Sequence, residues 1–160
     1  MKRFLLILLV LCLLVPCCFA EGATDAVTSA SVMDFYGAAL EGDDLMNAIN
    51  SYSGFYTVTT VNADGTPLTG FFIYSCVKDE EGSYYLLLGL AENQSRANIL
   101  ANGQVYAMYA QLPAEGATYP TTGARMTLEL VTDAEKAAAL NTTGYATALL
   151  AKIVSIRPLG

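Results

Sequence analysis

Between Phe55 and Leu90 the chain repeats one pattern three times: a run of β-branched, aromatic and apolar residues, then a turn. The first run, Phe55-Tyr56-Thr57-Val58-Thr59-Thr60-Val61, ends at Asn62-Ala63-Asp64-Gly65-Thr66-Pro67, whose Asp-Gly is a hairpin signal. The second, Leu68 to Val77, ends at the charged turn Lys78 to Ser83, and the third covers Tyr84 to Leu90. Runs this short, joined by turns too tight for a crossover helix, predict an antiparallel meander.

The flanks extend that reading. Apolar residues at helical spacing from Ser31 to Tyr52 predict one or two short helices broken near Gly42, with Ser31 and Asp43 as N-caps. Ala91 to Asn102 has a polar start and an Ala/Ile/Leu end, which suits a short helix stopped by Asn102-Gly103. Strand patterns resume at Gln104–Gln111 and Ala124–Thr132. Thr132 and Glu135 form a capping-box pattern for an alanine-rich helix to about Leu140, and Lys152–Arg157 is a last strand before Pro158. Six strands with little helix between them predict a mainly β (α+β) domain, a six-stranded antiparallel barrel, closed or half-closed, with short flanking helices.

The N-terminus reads as a targeting segment. Lys2 and Arg3 precede an uncharged apolar stretch from Phe4 to Val15, shorter than the roughly 20 residues that span a bilayer. Cleavage after Ala20, behind Cys18-Phe19-Ala20, predicts residues 1–20 as signal peptide, 21–30 as a flexible leader and 31–160 as the domain. Leu14-Val15-Pro16-Cys17 also has the outline of a bacterial lipoprotein box, which would put a lipid anchor on Cys17 or Cys18. The chain is thus expected outside the cytoplasm or in the cell envelope, and the short Lys-Arg leader favours a bacterial host.

Residues 21–160 hold six Lys and Arg against 15 Asp and Glu, a net charge of −9, which argues against nucleic acid as a partner. The whole chain contains no histidine. Ser-His and Cys-His nucleophile pairs and His-ligated zinc or haem therefore drop out. Three of the four cysteines precede residue 21, so Cys76 stands alone and reads as a small core residue inside an apolar strand. Asp79-Glu80-Glu81 and Glu41 with Asp43-Asp44 lack the ligand spacing of a calcium loop and read as solvated turn charges, so no metal site is expected.

Three strings carry a resemblance to a known family: Tyr56 to Pro67 with its Asp-Gly-x-Pro turn, Asn93 to Val105, and Gly123 to Asp133. In this order they resemble the split-barrel flavin-binding family of pyridoxamine 5′-phosphate oxidases and small FMN-binding proteins, over about Phe55 to Pro158. The resemblance implies a split β-barrel, a homodimer, and FMN in a groove between subunits. It would place the FMN phosphate at the start of the short helix, near Asn93, Gln94, Ser95, Arg96 and Asn98, where free N–H groups and the helix dipole favour an anion. The flavin ring would lie against Gly70, Phe71 and Phe72 and against Gly89 and Leu90. The family often carries Lys or Arg near the place of Gln94 or Ser95, so fewer charge-assisted bonds predict weaker phosphate binding here. The implied activity is that of a flavin-dependent oxidoreductase acting on a small molecule, with no residue marked out as catalytic. A cofactor-free binding or structural module of the envelope is the alternative.

Overall fold

The computed structural model describes residues 38–120 and 122–160. Within them the order is α1 (Gly42–Asn50), β1 (Phe55–Val61), β2 (Pro67–Phe71), β3 (Tyr74–Lys78), β4 (Tyr84–Leu88), α2 (Gln94–Asn102), β5 (Gln104–Ala110), β6 (Gly123–Leu130), α3 (Ala134–Leu140) and β7 (Leu149–Arg157). The targeting segment, the leader and the expected cap at Ser31 lie outside the described residues.

All pairings among the strands are antiparallel, in the order β2-β1-β5-β6-β7-β4-β3. The two edge strands of that order, β2 and β3, follow one another in sequence with only Phe72 and Ile73 between them. The chain itself therefore bridges the two ends of the curled sheet, which makes a half-closed barrel. Here the sequence expectation of six strands is corrected to seven: the run Leu68–Val77 is two strands. β2 pairs with β1 up to Thr57↔Phe71, Phe72 N–H still donates to the Tyr56 carbonyl at 3.3 Å, and Tyr74 then pairs with Leu88 of β4. Inside–outside alternation continues unbroken through this change of partner, with Phe71 and Ile73 exposed and Tyr74 buried. A period-two pattern reports which face a residue takes, and the identity of the neighbouring strand leaves no mark on it.

The barrel is filled by the inward residues of β1 and of β3 to β7, among them Val58, Cys76, Leu86, Val105, Met126 and Ala151, and is plugged by Leu45 and Ile49 of α1 and Ile99 of α2. Tyr56 stands edge-on to Tyr74 and Tyr109, with ring centroids 5.2 and 5.1 Å away. β4 is buried on both faces, which explains its uninterrupted apolar run: Leu86 and Leu88 enter the main core, while Tyr85 and Leu87 pack with Leu150 against Ala137 and Leu140 of α3.

The helix ends follow their local chemistry, with two corrections. Glu41 caps α1 and Gly42 begins it, where a break had been expected, so Asp43 and Asp44 fall in the first turn and complement the dipole. α3 is capped by Asp133, whose carboxylate accepts from the N–H of Glu135 and Lys136, where Thr132 had been expected. Both residue types cap well, and one position of phase separates the two readings. α2 ends as expected at Gly103, whose φ of 69° is left-handed and whose N–H closes on the Ile99 carbonyl.

Candidate functional site

A groove of about 1170 Å³ runs along β3 on the side of α1, and the segment following α3 forms its far wall. β3 supplies Ser75 and the preceding corner supplies Ile73; Tyr52 after α1, Gly89 after β4, and Thr143 and Tyr145 complete the rim. Three of these, Tyr52, Ile73 and Tyr145, are large apolar side chains at 59, 67 and 68 % exposure, gathered around one concavity. Gly89 keeps that surface low, since a Cβ there would meet nothing within 4 Å.

The far wall is built by local hydrogen bonds. Asn141 accepts from Thr143 N–H at 3.0 Å and from its hydroxyl at 2.7 Å, and donates to the Tyr145 carbonyl at 2.8 Å. An Asx turn of this kind fixes a loop that has no ladder to rely on. The near wall is equally set: Asn50 donates to the Cys76 carbonyl and accepts its N–H, each at 2.8 Å, which locks α1 to the open edge of β3.

The same loop joins the groove to the start of α2. Arg96 donates from its guanidinium to the Thr147 carbonyl at 2.6 Å, which holds its side chain at 13 % exposure, and Glu92 lies 3.5 Å from its Nε. The other residues expected there are engaged with the fold. Asn93 accepts the Arg96 N–H as helix cap, and buried Asn98 donates to Thr60 and Asn62 of the β1 end while accepting from Gln94. Ser95 is buried as well. The residues expected near the ring separate. Gly89 lines the groove, and Leu90 sits in the core. Phe72 packs against the core, with its ring 2.6 Å from where a Gly70 Cβ would stand, and Phe71 is 78 % exposed in β2.

Titratable groups near the groove are held away from neutral-pH chemistry. Burial pushes the Cys76 thiol up to about 12, and burial beside the other tyrosines raises Tyr74, whose hydroxyl donates to the Met108 carbonyl at 2.8 Å. Lys78 pairs with Asp43 at 3.1 Å, and Tyr84 donates to the same carboxylate; these bonds lower Asp43 and raise Lys78. Asp79, read from sequence as a solvated charge, organises its turn instead. It accepts from Ser83 and Glu81 N–H, from the Tyr85 hydroxyl and from Lys136, and these bonds lower its pKa. No group of three or more metal-ligating side chains occurs among the described residues.

Sequence reasoning missed the groove's two walls. In the sequence Tyr52 marks only the end of the helical stretch from Ser31, and Asn141-Thr142-Thr143 matches only a glycosylation pattern. Nothing along the chain signals that these segments meet β3, because each approaches it from a distant part of the sequence.

A planar aromatic ring system fits the groove: the lining is apolar where rings would stack and polar at Ser75, Asn50 and Thr143. Two cations could meet a phosphate: Lys78, which lines the groove and is paired with Asp43, and Arg96, which lies outside the lining, is held by the Thr147 carbonyl and has Glu92, 90 % exposed, as counter-ion. So exposed a pair contributes little and would yield to a dianion.

No family model and no curated protein matches the sequence. Solved structures do match the fold. An FMN-binding protein from Syntrophomonas wolfei superposes with a TM-score of 0.53 at 18 % identity, over 74 % of this chain and 85 % of that one. A Lactobacillus delbrueckii protein provisionally described as a pyridoxamine 5′-phosphate oxidase gives a TM-score of 0.46 at 20 % identity, over 75 and 92 %. An F420 reductase gives 0.42 at 16 %, over 76 and 95 %. At these identities the likeness is one of architecture, and the chain has the split-barrel fold of the Syntrophomonas FMN-binding protein.

Proposed function

We propose that this chain is an exported split-barrel protein that binds FMN in the β3 groove and serves as a flavin-dependent oxidoreductase for a small molecule. The observation that carries the reading is the groove itself: exposed aromatic and apolar side chains around a concavity of about 1170 Å³, joined by one ordered loop to Arg96, in a fold shared with an FMN-binding protein. Tyr52, Ile73 and Tyr145 would face the ring and Arg96 would take the phosphate. Bound flavin supplies the electron transfer. The protein's part is to bind and orient: Cys76 and Tyr74 stay protonated, and Lys78 stays paired with Asp43. A homodimer belongs to this proposal, since a groove open on one side gains cover from a second subunit.

A second reading, a cofactor-free binding or structural module, is favoured by the start of α2. There Asn93, Asn98 and Arg96 all have partners within the chain, and no buried side-chain nitrogen or oxygen among the described residues is left unpaired. Titration with FMN separates the two. Flavin fluorescence quenched at micromolar FMN, with binding weakened roughly tenfold or more by Arg96→Ala, supports the first. No quenching at millimolar FMN leaves the second.

A further inference from the structure

Among the described residues Tyr52 alone has a left-handed backbone without being glycine, with φ at 53°. It stands just past the last turn of α1, where the Ser51 N–H closes on the Asn47 carbonyl and the Tyr52 N–H on that of Ile49. Helices that stop in this way ordinarily carry glycine or asparagine at that position, because a larger side chain crowds the left-handed backbone. Tyrosine there is strained, and a strained residue persists where its surroundings hold it and the site has a use for it.

The hold comes from β3. The Tyr52 hydroxyl lies 2.8 Å from Ser75 Oγ, and both residues line the β3 groove. Two hydroxyls joined by one hydrogen bond carry two protons and use only one between them, so the pair keeps a proton to donate outward. The hydroxyls of Tyr74 and Thr143, on the same lining, have theirs committed to the Met108 carbonyl and to Asn141. The one charged side chain of the lining, Lys78, is engaged by Asp43, which also accepts from Tyr84. A fixed donor beside an exposed aromatic face, with the nearby cation neutralised, matches a flat uncharged ring that has an acceptor oxygen on its edge.

We propose that Tyr52 is a ligand-binding residue, kept against the preference of the helix end, and that the Tyr52–Ser75 hydroxyl pair donates to a carbonyl oxygen on a flat, uncharged aromatic ring lying against Tyr52. This names the chemistry of the ring that the groove takes. It rests on the reading that a planar ring lies in the groove, and not on that ring being the flavin's.

The test is a titration of the ¹⁵N-labelled full chain with coumarin, a flat uncharged lactone. Saturable amide shifts are expected at Tyr52, Ser75, Thr143, Tyr145 and their neighbours. Tyr52→Phe/Ser75→Ala keeps the ring, removes both hydroxyls and should bind severalfold more weakly. Tyr52→Gly removes the ring and the strain together, so it should bind at least about tenfold more weakly and yet melt no lower than the parent. Coumarin-3-carboxylate, the same ring with a charge, should bind more weakly than coumarin. Absence of saturable shifts, parental affinity in the hydroxyl-free variant, a lower melting temperature in Tyr52→Gly, or equal or tighter binding of the carboxylate each overturns the proposal. Flavin quenching by FMN without a coumarin response overturns it and leaves the flavin reading standing. Tyr52-dependent coumarin binding without FMN quenching supports it and removes FMN alone.

Discussion

Tyr56, Tyr74 and Tyr109 each donate their hydroxyl to a backbone carbonyl, of Ile49, Met108 and Ser53 respectively; the first and last tie α1 and the loop after it to the sheet, and Tyr74 ties β3 to β5. Burial next to Tyr109 and Tyr52 pushes Tyr56 up to about 12. Tyr56→Phe keeps the ring contacts and removes one bond to the Ile49 carbonyl, which still accepts the Tyr52 N–H, so a loss of about 1 kcal/mol is expected in chemical denaturation, with the slope unchanged. Cys76 gives a second residue-level test. A thiol buried in the core and titrating near 12 stays protonated at pH 8, so iodoacetamide should leave it unlabelled in the native chain and modify it in 6 M guanidinium, read by peptide mass at Cys76.

At the scale of elements, α2 depends on Asn93. Its side chain satisfies the Arg96 N–H, so Asn93→Ala should cost about 1 kcal/mol and Asn93→Ser should recover most of it. The same helix shows how far a linear reading reaches. Asn102-Gly103 marked its end correctly because a left-handed C-cap is a local event. That Asn98 would be buried against Thr60 and Asn62 was not legible, since those residues lie 38 and 36 positions away. The strand Leu68–Val77 divides for a similar reason: its alternation is local, and the switch from β1 to β4 is not.

For the whole molecule, the Asp79–Lys136 pair at 2.9 Å fastens α3 to the β3–β4 turn, and with it the loop that forms the far wall of the β3 groove. Asp79 has its pKa lowered, chiefly by the Lys136 and Tyr85 bonds, so its stabilising effect is complete above the unfolded carboxylate value near 4 and is lost as pH falls through the lower folded value. Lys136 has its pKa raised, so its effect is complete below the unfolded lysine value of about 10.4 and is lost at higher pH still. The pair therefore stabilises fully across the neutral range. Asp79→Asn should lower the melting temperature at pH 7 and leave a smaller drop between pH 4 and pH 2 than the parent shows, measured by circular dichroism.

The sequence by itself determined where the strand-forming runs lie, the turns after the first two of them, the stop of α2 and the burial of Cys76, because side-chain period, backbone preference and capping act over a few residues. It also carried enough ordered strings to point to a split barrel. Only the tertiary structure decided that β2 and β3 are separate edge strands bridged at Phe72 and Ile73, that Tyr52 and Tyr145 line one groove along β3, and that Arg125 stands opposite Arg157 in register. Each of these is a meeting of residues far apart in the chain, set by the order in which strands pair around a curled sheet, and no local preference encodes that order.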